Sequence, residues 1–525
     1  MPSLASRLRC VAAIVYADLL IRLRSPRFWI VMGLLALATW SFFPGPGGLF
    51  TMAEVNDHYR SAYSSAWIGM VLALTDSLLL SLAGFYVIRG TLTRDIDTRV
   101  WQLLVTTTMT RRTYLFAKWC GHLAALLLMA LLSLAVGLAM QWLRAEDRQL
   151  DLIEAIKPLI LIALPALALT AACAIWFDLL PFLRRTAGSV LFFVVWISAI
   201  SLGTLDKAAW ENLNGVNTVV GDPAGMVVFL RDLARNVAPQ LPQKKIEGFC
   251  LGCGAKPGED TGRFVWKVWH PHPQDILERV FWLAVAAAAV AAASPVLDWA
   301  ASRAGSPLEA SGKKIPRNRP LRLITRLFEP LQSSLLGRMV SAELLLILRQ
   351  RRLLWWLALL VLYALQAVAP TPVAAMAACL AWTLSLDMLA HAALRDQETG
   401  TRELIFTAPG AIRRVFAARL IVLLFMTLGT TLPAIVRFTI ATPSVALALI
   451  AIATSLCAWG MASGTLLRNA RAFEIVFCLL LYHASNGGAA LNPAIDPVAA
   501  SLWHGALLPL AGIILWWRWP RMARA

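Results

Sequence analysis

The chain has 525 residues, 59% of them hydrophobic, and a formal net charge of +18. Only 15% of the residues are charged, against about 25% in a typical soluble protein, and the apolar residues lie in long blocks; together these exclude an ordinary water-soluble domain. The excess of Lys and Arg would point to nucleic acid in a soluble chain, but here it marks cytoplasmic loops and anionic membrane lipid, and no nucleic-acid partner is expected.

From Leu4 to Arg24 the pattern predicts an amphipathic helix lying in the membrane interface, with Leu4, Leu8, Val11 and Val15 at helical spacing and Arg7, Arg9 and Asp18 elsewhere. Asp18, Arg22 and Arg24 interrupt the apolar run, and no small-residue cleavage site follows cleanly, so no cleaved signal is expected. Apolar blocks then run over 28–44, 66–88, 117–142, 156–179, 186–205 and 277–299, each near the ~20 residues that cross a bilayer core. A basic stretch follows, with Lys313, Lys314, Arg317, Arg319, Arg322 and Arg326, and then the pattern restarts. A second amphipathic lead-in ends at Arg349, Arg351 and Arg352. Six more blocks follow, over 353–369, 372–393, 417–438, 443–463, 472–485 and 501–518, some of them short for a span.

The loops set an orientation. Arg89, Arg94, Arg99, Arg111, Arg112 and Lys118 sit between the second and third blocks, Arg184 and Arg185 between the fourth and fifth, and Arg468 and Arg471 between the tenth and eleventh. The alternate loops are acidic or balanced, as at Glu146, Asp147, Asp151 and Glu154. The positive-inside rule then places both termini in the cytoplasm and the long loop 206–275 outside. That loop carries Cys250-Leu251-Gly252-Cys253, with His270 and His272 downstream. A local disulfide suits an oxidising compartment; a metal or redox site would need four converging ligands; free thiols are the third reading. Trp210, Trp266 and Trp269 together with the two cysteines point to a small ordered cap rather than a tether.

An internal repeat is the most informative feature. The segment Arg94 to Thr106 and the segment Arg395 to Thr407 match at an offset of 301 residues. Arg94 pairs with Arg395, Asp95 with Asp396, Asp97 with Glu398, Leu103 with Leu404, Arg112 with Arg413 and Lys118 with Arg419. Both segments fill the same slot, between the second and third blocks of a six-block unit, and parallel repeats are a common transporter design. The expected fold is therefore all-α: a polytopic membrane protein of about twelve transmembrane helices in two parallel six-helix repeats with interfacial elbow helices. Residues 1–300 form the first unit, 301–336 a basic cytoplasmic linker and 337–525 the second.

The run of Arg-Asp, an acid two residues on, then Leu-(Leu/Ile)-x-Thr, a basic residue, and Lys or Arg opening the next span resembles the type-2 ATP-binding-cassette permease family. The lead-in Arg22-Leu23-Arg24-Ser25-Pro26-Arg27-Phe28-Trp29 is similar to that family's interfacial helix entering its first span. The resemblance implies that each segment is a short cytoplasmic helix docking on an ATPase. The residues carried over are Arg94, Asp95, Asp97, Trp101, Leu103, Leu104 and Arg112 in one half, and Arg395, Asp396, Glu398, Leu404, Ile405 and Arg413 in the other. The acids can also be read as helix caps favoured by the dipole. Asp97-Thr98-Arg99 departs from the family, where a Gly stands near the turn; the second half keeps Gly400. The resemblance further implies a permease of a bacterial cytoplasmic (inner) membrane, acting as an exporter, where relatives pair two six-span units and this chain fuses them.

A phosphate-cradling loop needs closely spaced glycines followed by Lys and Ser/Thr. The nearest run, Gly305 to Gly312-Lys313, is spaced too widely and has Lys314 at the Ser/Thr position. The chain is therefore not expected to be an enzyme or to hold a cofactor or metal. ATP and magnesium would sit on separate ATPase subunits, in two copies. Asp76 and Asp387 fall inside apolar blocks and are candidates for the transport path, because carboxylates in lipid are costly; the alternative is a structural hydrogen bond to a neighbouring helix. Two other classes compete: an ion-driven transporter or channel, which would want broken helices and midplane charges, and a membrane-embedded enzyme, which would want clustered His, Asp and Glu. The substrate is not legible.

Overall fold

The computed structural model describes residues 4–43, 50–56, 59–98, 109–184, 186–204, 222–242, 246, 248–254, 262–297, 299, 332–351, 353–485 and 488–524. The chain divides into two compact units, Met1–Pro307 and Leu308–Ala525. Both are bundles of apolar helices, and the first also carries a small four-stranded sheet. Among the described residues six helices are long and apolar enough to cross a membrane: Ser65–Ile96, Arg111–Arg144, Leu152–Leu179, Pro273–Leu297, Pro443–Leu467 and Pro497–Arg521. A bent pair, Ala411–Thr430 with Leu432–Ala441, makes a seventh. The chain is thus an all-α polytopic protein, with six or seven candidate spans among its described residues. Leu354–Val368 and Thr371–Thr383 are shorter apolar helices. Pro372 sits in the first turn of the second, the position where a missing N–H costs nothing.

In the first unit, α1 (Leu4–Leu23) is the lead-in helix and α2 (Pro26–Ser41) follows it. Strands β1 (Phe50–Val55) and β2 (Tyr59–Ser61) precede a long helix built of α3 (Ser65–Thr75), a π-helical turn Asp76–Leu80 and α4 (Ser81–Ile88). The short α5 (Thr91–Asp97) leads towards α6 (Arg111–Arg144). Next come α7 (Leu152–Pro158), a second π-helical turn Leu159–Ala163, α8 (Leu164–Leu179) and α9 (Thr186–Thr204). Gly69 lets α3 cross α7 at backbone contact, since a Cβ there would lie 2.4 Å from the Ala155 carbonyl oxygen. Such small-residue contacts are the usual means of close helix approach in lipid. The π turn at Asp76 leaves backbone acceptors off the regular ladder, and the Trp196 indole on α9 donates to the Leu78 carbonyl at 3.0 Å.

The long loop is ordered where it is described. Helix α10 (Met226–Asn236) packs along α3: Phe229 lies against Trp67, and the Ser77 hydroxyl donates to the Ala224 carbonyl. The loop therefore packs beside both α3 and the π-helical turn. Asp222 caps α10 by accepting from the backbone N–H groups of Gly225, Met226 and Val227 at 2.8–2.9 Å. Arg279, on α11 (Pro273–Ala292), pairs with Asp222, and Arg231 pairs with Asp275 and Glu278, all of them buried. Strands β3 (Phe249–Gly254) and β4 (Gly262–Phe264) join β1 and β2 in the order β3-β1-β2-β4. β1 is antiparallel to β2 and β3, with Ala53 opposite Leu251, and β2 is parallel to β4. The expected cap is thus a sheet shared by two loops, and Trp266 and Trp269 are buried beneath it. Trp210 lies outside the described residues.

The second unit has α12 (Leu335–Arg349), α13 (Leu353–Val368), α14 (Thr371–Thr383), and the short α15 (Leu386–His391), α16 (Arg395–Glu398) and α17 (Arg402–Phe406). Helices α18 (Ala411–Thr430), α19 (Leu432–Ala441), α20 (Pro443–Leu467), α21 (Ala470–Ser485) and α22 (Pro497–Arg524) complete it. The matching helix of the first unit, α6, runs unbroken for 34 residues, whereas α18 and α19 meet at 66°. Pro433 in the first turn of α19 explains the break. The freed backbone groups are satisfied by buried Gln366 of α13, which donates to Thr430 O at 3.1 Å and accepts from Ala434 N at 3.3 Å.

The cap contains a pH-sensitive clamp. Arg60 on β2 grips Glu146 through both carboxylate oxygens, at 2.9 and 2.6 Å, and Tyr63 N donates to the same group at 3.1 Å. Burial acts to raise the Glu146 pKa, but the bonds and charge of Arg60 outweigh it and hold the carboxyl below its ordinary value. A carboxyl depressed on folding stabilises above its unfolded pKa, near 4.3, and that stabilisation is lost as pH falls through the lower folded value. Amide exchange in 50–61 and 262–266 should therefore accelerate below about pH 4, and Glu146→Gln should show the faster exchange already at pH 7. Equal protection of the two proteins at pH 7 would remove the clamp.

Candidate functional site

Each unit has a buried knot of charge where its lead-in helix meets the short polar helix that follows the second apolar block. In the first unit Lys118, about two turns into α6, places its ammonium 3.0 Å from both Asp18 oxygens on α1 and 2.8 Å from Asp95 on α5. The Tyr114 hydroxyl, one turn before Lys118, donates to the same Asp95 oxygen at 2.8 Å. Asp18, Asp95 and Lys118 are all buried. Arg94 adds a second cation, 3.8 Å from Asp95, and keeps half its side chain exposed. In the second unit Arg419 of α18 stands in for Lys118. It contacts Glu343 of α12 at 3.3 Å and Asp396 of α16 at 2.5 Å, and donates to Ala392 O at 3.1 Å. Arg395 pairs with Glu343. Both knots thus contain two acids and two bases, drawn from the same three helices of each unit.

Burying ions in this way is costly unless charge and hydrogen bonds are matched, and here they are. Lys118 and Arg419 were paired by the sequence repeat; Asp18 and Glu343 were not. A signal was present in α1, because Asp18 continues the spacing Leu4, Leu8, Val11, Val15 rather than lying off that stripe. An acid on the packing face of a helix needs a cation opposite it.

The lead-in helix is anchored a second time. Arg22 donates to the Val87 and Ile88 carbonyls at 3.2 and 3.0 Å, closing the end of α4. Beyond it Gly90, at φ +92°, turns the chain into α5, and its N–H donates to Asp178 of α8 at 2.7 Å. Only glycine enters this left-handed conformation without cost.

The carried-over residues separate into two groups. Asp95 and Asp396 face inward and tie helices together, so they are neither simple caps nor available to a partner. Glu398 is half-exposed and bonds His391 at 2.9 Å. Leu404 is 79% exposed and Ile405 half-buried on α17, in a turn that Gly400 opens at φ +67°. Arg112 and Arg413 are exposed at the starts of α6 and α18. Trp101, Leu103, Leu104 and the side chain of Asp97 lie outside the described residues.

Asp76 is buried at the head of the π turn, and its Oδ2 has no hydrogen-bond partner among the described residues. Asp387 differs from the expectation of a deep carboxylate: its side chain is 45% exposed and pairs with Arg351, just past α12, at 3.6 Å. The break after Thr383 places it at the start of a separate short helix instead of inside a span. Cys250 is disulfide-bonded, and the six cysteines outside the loop are free thiols; the Cys253 side chain lies outside the described residues. His272 caps α11, accepting from Gln274 N. Among the described residues no three His, Cys, Asp or Glu side chains are placed to share a metal ion.

Lys118→Met should strand two buried carboxylates and cost about 3–5 kcal/mol, read as a fall in the thermal midpoint of the purified protein. Replacing all three charges, by Asp18→Asn, Asp95→Asn and Lys118→Met, should recover most of that loss. A triple variant no more stable than the single one would show that charge matching does not hold this junction.

Comparison of the chain with family models, with curated proteins and with solved structures finds no match.

Proposed function

We propose that the chain is the transmembrane permease of an ATP-binding-cassette transporter, an exporter powered by two copies of a separate ATPase chain. The observation that carries this reading is the recurrence of the four-charge knot at matched positions of both units. In each, it fixes the lead-in helix, the short polar helix and the third apolar segment to one another. A push on the short helix would then move all three as one body. In the second unit the exposed Leu404 and the neighbouring Ile405 stand at the outer end of this body, where apolar side chains want a partner surface.

The two units are read as fused copies of one six-helix permease, in a bacterial cytoplasmic membrane with both termini in the cytoplasm. The shorter helices α2, α9, α13 and α14, with α21, complete about twelve membrane segments, the short ones being accommodated by local bilayer thinning and flanking basic residues. A second reading, an ion-driven transporter, is favoured by one observation: the buried Asp76 with an unpartnered oxygen in a π-helical turn, a feature frequent at functional sites. Under the first reading Asp76 lines the cargo path.

Two experiments test the proposal. The purified chain alone should not hydrolyse ATP, and turnover by a contaminant-free preparation would refute the permease reading. Leu404→Glu with Ile405→Glu should leave membrane insertion intact and reduce co-purification of the ATPase by at least about tenfold, on the order of the loss for a central interface anchor. Undiminished co-purification and transport would show that α17 is not a coupling element. Transport that persists without any ATPase and stops with Asp76→Asn would favour the ion-driven reading instead.

A further inference from the structure

The flank of the first unit holds an apolar groove of about 300 Å³ between α1, the start of α6 and the last turns of α11. Leu8, Val11, Phe116, Ala287 and Val290 line it, and Arg112 stands with them, one helical turn before Phe116. Arg112 is exposed and pairs with no described acid, and its neighbour Arg111 is exposed too. A guanidinium with no acidic partner among the described residues, beside an apolar slot, matches a ligand with a long apolar body and one anionic group at its end.

We infer that this groove binds an anionic glycerophospholipid of the inner leaflet, with one acyl chain against Phe116 and Val290 and the phosphate at Arg112. Charge complementarity selects the headgroup: an arginine fork accepts phosphate oxygens bidentately, and each basic residue near an anionic lipid surface contributes on the order of 1 kcal/mol, about fivefold in occupancy. The second unit supplies an internal contrast. There the indole of Trp519, near the end of α22, donates to Ile412 O at 3.0 Å and lies against Phe406 and Phe416, so the equivalent junction with α18 is filled by the protein's own side chain. One site per chain follows, in the first unit, and Arg112 is a lipid ligand instead of an ATPase contact. The inference rests on the proposed membrane setting and orientation of the bundle and is tested without any ATPase.

The test is native mass spectrometry of the purified full chain released from nanodiscs of mixed phosphatidylglycerol and phosphatidylcholine. The wild type should retain one phosphatidylglycerol in preference to phosphatidylcholine. Arg112→Gln should lower that occupancy about fivefold, Ala291→Trp should block it by filling the groove, and Arg413→Gln should leave it unchanged. Wild-type retention of both lipids in proportion to the mixture overturns the inference without recourse to any variant. Undiminished retention by Arg112→Gln and Ala291→Trp proteins that elute as single species overturns it as well, as does equal thermal protection by glycerol phosphate, which has the headgroup chemistry but no chains.

Discussion

A cation buried between two carboxylates is what joins each lead-in helix to the bundle behind it. An amphipathic helix at a membrane surface is held by hydrophobicity alone only loosely, because lipid tails compete with protein for its apolar face. Lys118 with Asp18 and Asp95, and Arg419 with Glu343 and Asp396, replace that indifferent contact by one whose disruption leaves an uncompensated buried charge. The cost of breaking it is concentrated at one point, so the three helices it joins move together or not at all. Gly90 in the left-handed conformation and the Asp178 carboxylate that receives its N–H fix the angle at which α5 leaves this point.

A second constraint is the accounting of backbone polar groups where helices break inside an apolar environment. The chain tolerates two π-helical turns and a 66° bend, and at each break that involves a described partner the freed group finds a side chain. Trp196 serves the turn at Asp76, and Gln366 serves both sides of the bend at Pro433. The cap obeys the same rule by a different route. Its strands come from two loops far apart in sequence and satisfy one another, while Arg279, Arg231 and their acids are buried only in complementary sets. Asp76 is one of several buried side chains with an atom left over among the described residues, and it stands at a break inside an apolar helix.

The sequence alone determined the class of molecule and much of its punctuation. Apolar block length is a local property, so the all-α polytopic character and the lead-in helices at Leu4–Leu23 and Leu335–Arg349 could be read directly. Local patterning could not locate the breaks: a block of 17 apolar residues looks the same whether its helix runs straight or, as around Thr383 and Thr430, stops and restarts, because the break depends on what neighbouring helices offer the backbone. The lysine–arginine equivalence at 118 and 419 was legible, but its meaning was not. Only the tertiary structure decided that Asp18 and Glu343, far from the repeat segments in sequence, are the acids those cations bind, that Asp95 and Asp396 point inward while Leu404 points out, and that Asp387 reaches Arg351. It also decided that strands from 50–61 and 249–264 share a sheet. Charge pairing and strand pairing are relations between distant segments, and burial fixes them only once the helices have packed.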